Sequence, residues 1–466
     1  MTAIITDKIK KLLAQSLYDE LDGTNIGDSD NYYYVAISRS QQWQPDDNTD
    51  ISPTPVENQR EERRFRYSMQ SLKSVEAHSF VVPLYDWSSN TVYSAYSDNA
   101  IGQPAQSFYV RTDDNNVYLC VKSGKSSTGT IQVSTVKPDH TDATLPIETD
   151  GYVWKYLYTI STADANSFLT ANFMPVKYVD SAAATDPYFG QYTIQNAGIP
   201  GQIVGYRVVD QGGVYTSAPS ITITGNGTGA KGRAILNTSG GIQAVEVGDS
   251  ANAPVLSNMG SGYTYANVTV GSGTLSGGGN PATVVPIFGP NNGLGSDPRD
   301  DLRSTSIMLN VKPDGTVNNK WVTGNDYRQI GVLRNPTEYN SNTKFTSSEA
   351  TAVKKLTITT APGNINYSND VKMTGSLSTA QAWVDFYDDS STFWYHQDEN
   401  TGFKQFQSGE ALVVDDYTAT ALTVDSAAVD PDIDIFSGDL LYIDNRATPT
   451  ARDAGQTEDI KVVIKL

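Results

Sequence analysis

The chain has 466 residues with 52 acidic against 33 basic side chains, a net charge of −19, and is long enough for about two to four domains and a large core. An acidic surface repels phosphate backbones and anionic lipids, which argues against general nucleic-acid or membrane binding. The single cysteine, Cys120, excludes an intrachain disulfide framework and a multi-cysteine zinc site. Hydrophobic residues make up 38% and charged residues 18%, with 38 Gly and 27 Tyr filling the difference; this is the composition of an all-β structural or binding protein rather than of a helical enzyme.

The first segment reads as a helix. Ile9, Leu12, Leu13, Leu17 and Leu21 recur at helical spacing on one face, with Thr6 or Asp7 as cap and Gly23 as terminator, and the expectation is a packing helix. Its polar face carries Asp7, Asp19, Glu20 and Asp22, unlike a membrane-surface helix. Lys8, Lys10 and Lys11 interrupt the apolar pattern, so it does not read as a signal peptide, and no run approaches the ~20 apolar residues of a membrane span. The expectation is a soluble chain made in a reducing cytoplasm.

A strand is predicted over 32–38, then a polar loop over 41–53. Thr54-Pro55-Val56-Glu57 is a capping box with Pro at the first helical position, and the helix it opens is predicted to run to about Ser74. Arg60, Arg63, Arg64 and Arg66 alternate there with Glu61 and Glu62, as on a solvated or interface face rather than a phosphate site. Short strands follow over 80–85, 106–111, 117–122, 130–136 and 152–160, a density that points to a sandwich.

Residues 190–296 change character, with much glycine and almost no charge. Gln211-Gly212-Gly213-Val214-Tyr215-Thr216 is echoed by Met259-Gly260-Ser261-Gly262-Tyr263-Thr264 about 48 residues later. Each copy follows a strand-like segment (203–209, 242–247) and leads into another (220–224, 267–270). The reading is two copies of a small β unit stacked on each other, inserted as a module. The expected domains are therefore 1–189, an N-terminal helix plus the first part of a sandwich; 190–296, the inserted glycine-rich β-repeat module; and 297–466, the rest of the sandwich. Strands are predicted there over 306–311, 327–333, 354–359, 382–386, 392–396, 411–414, 440–444 and 460–465, the last tied into a sheet. The fold class expected is mainly β: a multi-layer antiparallel β-sandwich with a few helical excursions.

Motifs for chemistry fail on their context. Gly227-Thr228-Gly229-Ala230-Lys231-Gly232 fits G-x-G-x-x-G, but strand and turn follow where a helix is needed to hold a pyrophosphate. Gly124-Lys125-Ser126 resembles the end of a P-loop, yet Leu119 stands where its first glycine belongs. The Gly277–Gly279 run lacks the Asp of calcium-binding nonapeptide repeats. The most enzyme-like stretch runs from Trp383 to His396, with Asp385, Asp388 and Asp389 among aromatics; a sugar-cleaving pair is conceivable, but the pattern reads as a hairpin with its acids at the exposed turn. His78, His140 and His396 have no partner at ligand spacing, and Cys120 reads as core. No catalytic, cofactor-binding or metal-ligating residue is assigned, and no cofactor is expected.

Several segments together carry a resemblance. They are Asp150-Gly151-Tyr152-Val153-Trp154-Lys155-Tyr156-Leu157; Tyr327-Arg328-Gln329-Ile330-Gly331-Val332-Leu333-Arg334-Asn335-Pro336; and Ser437-Gly438-Asp439-Leu440-Leu441-Tyr442-Ile443-Asp444-Asn445-Arg446 with Gln456-Thr457-Glu458-Asp459-Ile460. Trp43 after an early strand, and Val82-Pro83 leading to Asp86-Trp87, fit the same order. The chain resembles the baseplate wedge subunit of contractile-tailed, T-even-type phages, the gene product eight family. The resemblance implies a mainly β virion protein of the tail baseplate, a homodimer that contacts other wedge subunits, with no enzymatic activity and no nucleic-acid, membrane or small-molecule substrate partner. It does not name the interface residues. The glycine-rich module departs from the family pattern. Two other readings stand beside it: a carbohydrate-binding module or polysaccharide depolymerase resting on Trp383–His396 and the glycine repeats, and a fibre or neck protein, which a trimer would indicate.

Overall fold

The computed structural model describes residues 7–22, 31–43, 58–98, 107–272, 274–277, 279–313, 320, 324–359, 371–388, 391–415, 417–453, 456 and 458–466. The fold is mainly β, as composition predicts, and is built of antiparallel sheets. In chain order come α1 (Asp7–Leu21), β1 (Tyr33–Ser38), α2 (Asn58–Tyr67), β2 (Met69–Ser74), β3 (Ala77–Pro83), β4 (Tyr109–Arg111), β5 (Asn116–Lys122), β6 (Val153–Thr159), α3 (Thr162–Phe168), β7 (Phe173–Val176) and α4 (Phe189–Asn196). The glycine-rich stretch then forms β8 (Ile203–Asp210), β9 (Ser220–Gly225), β10 (Thr228–Ala230), β11 (Gly232–Leu236), β12 (Ile242–Val247), α5 (Val255–Asn258), β13 (Met259–Ser261), β14 (Ala266–Val270) and β15 (Thr283–Phe288). The chain continues through α6 (Pro298–Asp301), β16 (Ser306–Val311), β17 (Asn325–Arg334), β18 (Glu349–Thr351), β19 (Lys354–Ile358) and β20 (Lys372–Gly375). It ends with β21 (Gln381–Tyr387), β22 (Thr392–His396), β23 (Ala411–Val414), β24 (Tyr417–Val429), β25 (Asp439–Arg452) and β26 (Ile460–Lys465).

The chain divides into two compact units, one of Met1–Gln15, Ser79–Met308 and Val463–Leu466, the other of Ser16–His78 and Leu309–Val462. The division runs elsewhere than at the expected boundaries 189/190 and 296/297: residues 190–296 share the first unit with 79–189.

In the first unit, β4-β5-β6 form one sheet. A further sheet has the order β26-β16-β3-β7, so the C-terminal strand is tied into a sheet as expected. Behind β5 and β6 lies an aromatic core, with the rings of Tyr152 and Trp154 stacked at 5.7 Å, Cys120 buried beside them, and Ile194 of α4 packed in. The expected strand over 130–136 is not formed. The reason is local: the carboxylate Oδ2 of Asp150 accepts the backbone N–H groups of Thr135 (2.7 Å) and Val136 (3.0 Å), which a neighbouring strand would otherwise take.

The two glycine-rich copies interlock rather than stack. The first contributes β8, β9 and β11; the second contributes β12, β14 and β15. The first strand of each pairs with the last strand of the other, β8 with β15 and β12 with β11, while the middle strands β9 and β14 pair together. Tyr215 and Tyr263 of the repeated motif are both buried. Gly260 has φ of +65°, and a Cβ there would lie 2.4 Å from the Thr228 carbonyl oxygen, so the motif needs glycine on both counts.

The second unit holds a five-stranded sheet of order β18-β2-β1-β17-β25. Residues 325–333 of β17 are buried throughout, and Phe65 of α2 sits so close to Gly331 that a Cβ would meet its ring at 2.4 Å. The predicted α2 overruns the observed one: its expected start at Thr54 lies outside the described residues, and it ends at Tyr67, where Ser68 Oγ donates to the Arg64 carbonyl. The next six residues are buried between β1 and β18, and sheet pairing overrides their helical propensity. Arg66, expected on a solvated face, is buried instead and donates to the carbonyls of Ile435, Ser437 and Gly438 at 2.8–3.0 Å. The same unit contains a closed barrel, β19-β22-β21-β20-β23-β24, with its own apolar filling that includes Leu356, Met373, Phe393 and Tyr395.

Candidate functional site

The stretch from Trp383 to His396 is a hairpin, as its alternation predicts: β21 pairs with β22, Trp383 opposite His396 and Tyr387 opposite Phe393. One acid departs from expectation. A bulge between Val384 and Phe386 turns Asp385 inward, where it is 2% exposed and meets His396 Nδ1 at 2.8 Å. His396 therefore has a partner that sequence spacing did not reveal, and its Nε2 lies 2.8 Å from Gln41 Nε2. Burial raises the Asp385 pKa, and the charge and hydrogen bond of His396 oppose that rise. Asp388 does sit at the turn, and its Oδ1 accepts the N–H groups of Ser391 and Thr392, both at 2.9 Å. One carboxylate is thus enclosed and the other closes the turn, while Asp389 lies outside the described residues. Among the described residues no group of three or more His, Cys, Asp or Glu side chains is placed to hold a metal ion.

The other histidines are also in the packing. His78 stacks edge-on with Tyr18 at 4.6 Å, and His140 lies 5.6 Å from the ring of Tyr118. Burial lowers the pKa of both. The G-x-G-x-x-G stretch falls in β10 and the start of β11, and no helix follows it.

Two surfaces stand out. The first is α1. Its inward side carries buried Ala14 and Lys11, and the Lys11 ammonium pairs with Asp297 at 3.1 Å and also with Asp300. Ile9, Leu12 and Leu13 point the other way, 51%, 69% and 53% exposed. The whole apolar stripe is expected to pack inward; Leu17 and Leu21 are partly buried, but ion pairs hold the opposite side of the N-terminal half, so Ile9, Leu12 and Leu13 face solvent.

The second is a cleft of about 810 Å³ in the first unit, between the loops flanking β5 and β6 and the strands β11 and β12. Here Glu246 Oε2 receives both Lys122 Nζ (3.2 Å) and an Arg233 guanidinium nitrogen (2.7 Å), and the Glu246 side chain is 6% exposed. Lys125 lines the same cleft, forms no ion pair among the described residues, and its pKa is lowered by burial. Arg233 Nε is buried without a hydrogen-bond partner. Lys125 and Arg233 belong to, or directly follow, the two phosphate-like motifs that sequence context rejected. Their shared location was invisible because 108 positions separate them in the chain. No protein-family model matches the chain, and no curated protein sequence matches it either.

Proposed function

We propose that the chain is a structural subunit of a contractile phage tail baseplate wedge, acting through protein–protein contacts and not by catalysis. The observation that carries this reading is the outward apolar stripe of α1, Ile9, Leu12 and Leu13, on a helix fixed by its polar side. An exposed stripe of this kind marks an association surface. Its occupant is a second copy of the chain. Beside the stripe the N-terminal half of α1 carries Lys8 and the C-terminal half Asp19, so two copies packed antiparallel set a basic end against an acidic end. The segments that carry the family resemblance supply framework: β6 with the Asp150 turn, the buried strand β17, and its partner β25. In a baseplate such a subunit joins other wedge proteins, across interfaces able to hold more than one arrangement when the tail contracts.

The test is sedimentation equilibrium of the purified chain. A dimer is expected, and Leu12→Glu with Leu13→Glu should give a monomer with unchanged circular dichroism. A dimer that survives both changes removes α1 as its surface, and a trimer favours a fibre or neck protein. Immunogold labelling confined to the distal end of tailed particles is the expected location, and unlabelled particles would overturn the baseplate reading.

A further inference from the structure

The cleft lined by Lys122, Lys125, Arg233 and Glu246 has no part in the α1 contact, and its charges do not balance. Glu246 is shared by Lys122 and Arg233, and Lys125 adds a third cation that no carboxylate among the described residues pairs. Glu148, the other acid in the lining, has its pKa raised by burial and by the charges of Asp139 and Asp150, and three cations still face two carboxylates. An excess of positive charge therefore collects in a concave site on a chain of net charge −19. Arg233 lines the same space and keeps 30% of its side chain exposed while it pairs with Glu246. Leu145, Ile147 and Ile235 give the cleft an aliphatic wall, and among the described residues no aromatic ring lines it for a sugar to stack on. At about 810 Å³ the space suits a small molecule.

We propose that this cleft binds a small organic anion, one oxyanionic group on an aliphatic body, with Lys125 Nζ and the Arg233 guanidinium as its donors. The group is a carboxylate or a phosphate; either accepts from both donors, and the ligand's carbon chain lies along the aliphatic wall. Lys122 and Glu246 hold Arg233 in place and are not themselves free for the ligand.

Isothermal titration calorimetry of the full chain with glutarate, inorganic phosphate and the uncharged 1,5-pentanediol tests this. Saturable binding of glutarate or phosphate is expected, with none for the diol. Glutarate alone identifies the group as a carboxylate with its chain engaged; phosphate alone identifies the phosphate source. Lys125→Met removes only an unpaired charge and keeps the length of the side chain. It should leave the melting temperature unchanged or higher and weaken binding by about tenfold or more. Arg233→Lys, which keeps the charge opposite Glu246 but loses the guanidinium fork, should weaken it too. A ligand-induced rise in melting temperature in the wild type, absent in Lys125→Met, is the independent readout. No saturable binding of either anion, or binding untouched by Lys125→Met, overturns the proposal.

Discussion

Asp301 of α6 is fully buried; one carboxylate oxygen accepts the Gly295 N–H at 3.0 Å and the other has no partner. Burial raises its pKa well above the usual carboxylate range, and Asp297 and Asp300 push the same way. A folded-state pKa above the unfolded value gives stability that is fully present at low pH and lost as pH rises through the folded value. Asp301→Asn keeps an acceptor for Gly295 and does not titrate. The melting temperature of wild type relative to Asp301→Asn should therefore fall as pH is raised from the acid range towards neutrality and beyond. A difference that is flat or grows with pH would refute the assignment. Nothing in the sequence Asp297-Pro298-Arg299-Asp300-Asp301 distinguishes the buried acid from its neighbours; burial is set by where α6 lies in the fold. Asp385 teaches the same lesson, since a one-residue bulge decides whether an acid faces solvent or a histidine.

Elements were more legible than residues. Strands with β-branched or aromatic alternation, such as β5, β6, β12 and β17, fall where the pattern predicts. The sequence of β24 is rich in Thr, Ala and Ser and gives no such alternation; that strand was missed, although it closes the barrel between β19 and β23. For α1 the period was correct, but the N-terminal half of its stripe faces out, because partners almost 290 positions away, Asp297 and Asp300, hold the opposite side. The repeated motif was legible too, but not the exchange of strands between its copies. That exchange makes a specific demand. Deleting the second copy alone (242–288) removes β15, β14 and β12 at once, which leaves β8 unpaired and β9 and β11 with only their short mutual pairing. Such a deletion should leave unpaired strand edges and yield aggregated protein, seen as loss of the monodisperse peak in size-exclusion chromatography. A soluble, compact product would refute the interlocked arrangement.

At the scale of the whole molecule, removing both copies should be milder than removing one. The ends of the module meet: Ile203 pairs with Phe288, and the Gly289 N–H donates to the Gln202 carbonyl at 3.1 Å. Replacing 203–288 by a short Gly-Ser link leaves α4 and its Ile194 in the aromatic core. The expected outcome is a folded remainder with a cooperative calorimetric transition, and global unfolding would overturn the reading of this stretch as an insertion. The same excision removes Arg233 and Glu246, so it should also abolish anion binding while sparing self-association through α1.

The interlocked pairing also sets an order in time. When β8 leaves the ribosome, its partner β15 is still about 80 residues from being made. At about 5–20 residues per second, that interval is roughly 4–16 s. For that time one half of a sheet waits in the cell with its backbone groups unpaired. The near absence of charge around it gives little protection from meeting the same strand on a neighbouring nascent chain, so folding yield should fall steeply with expression rate.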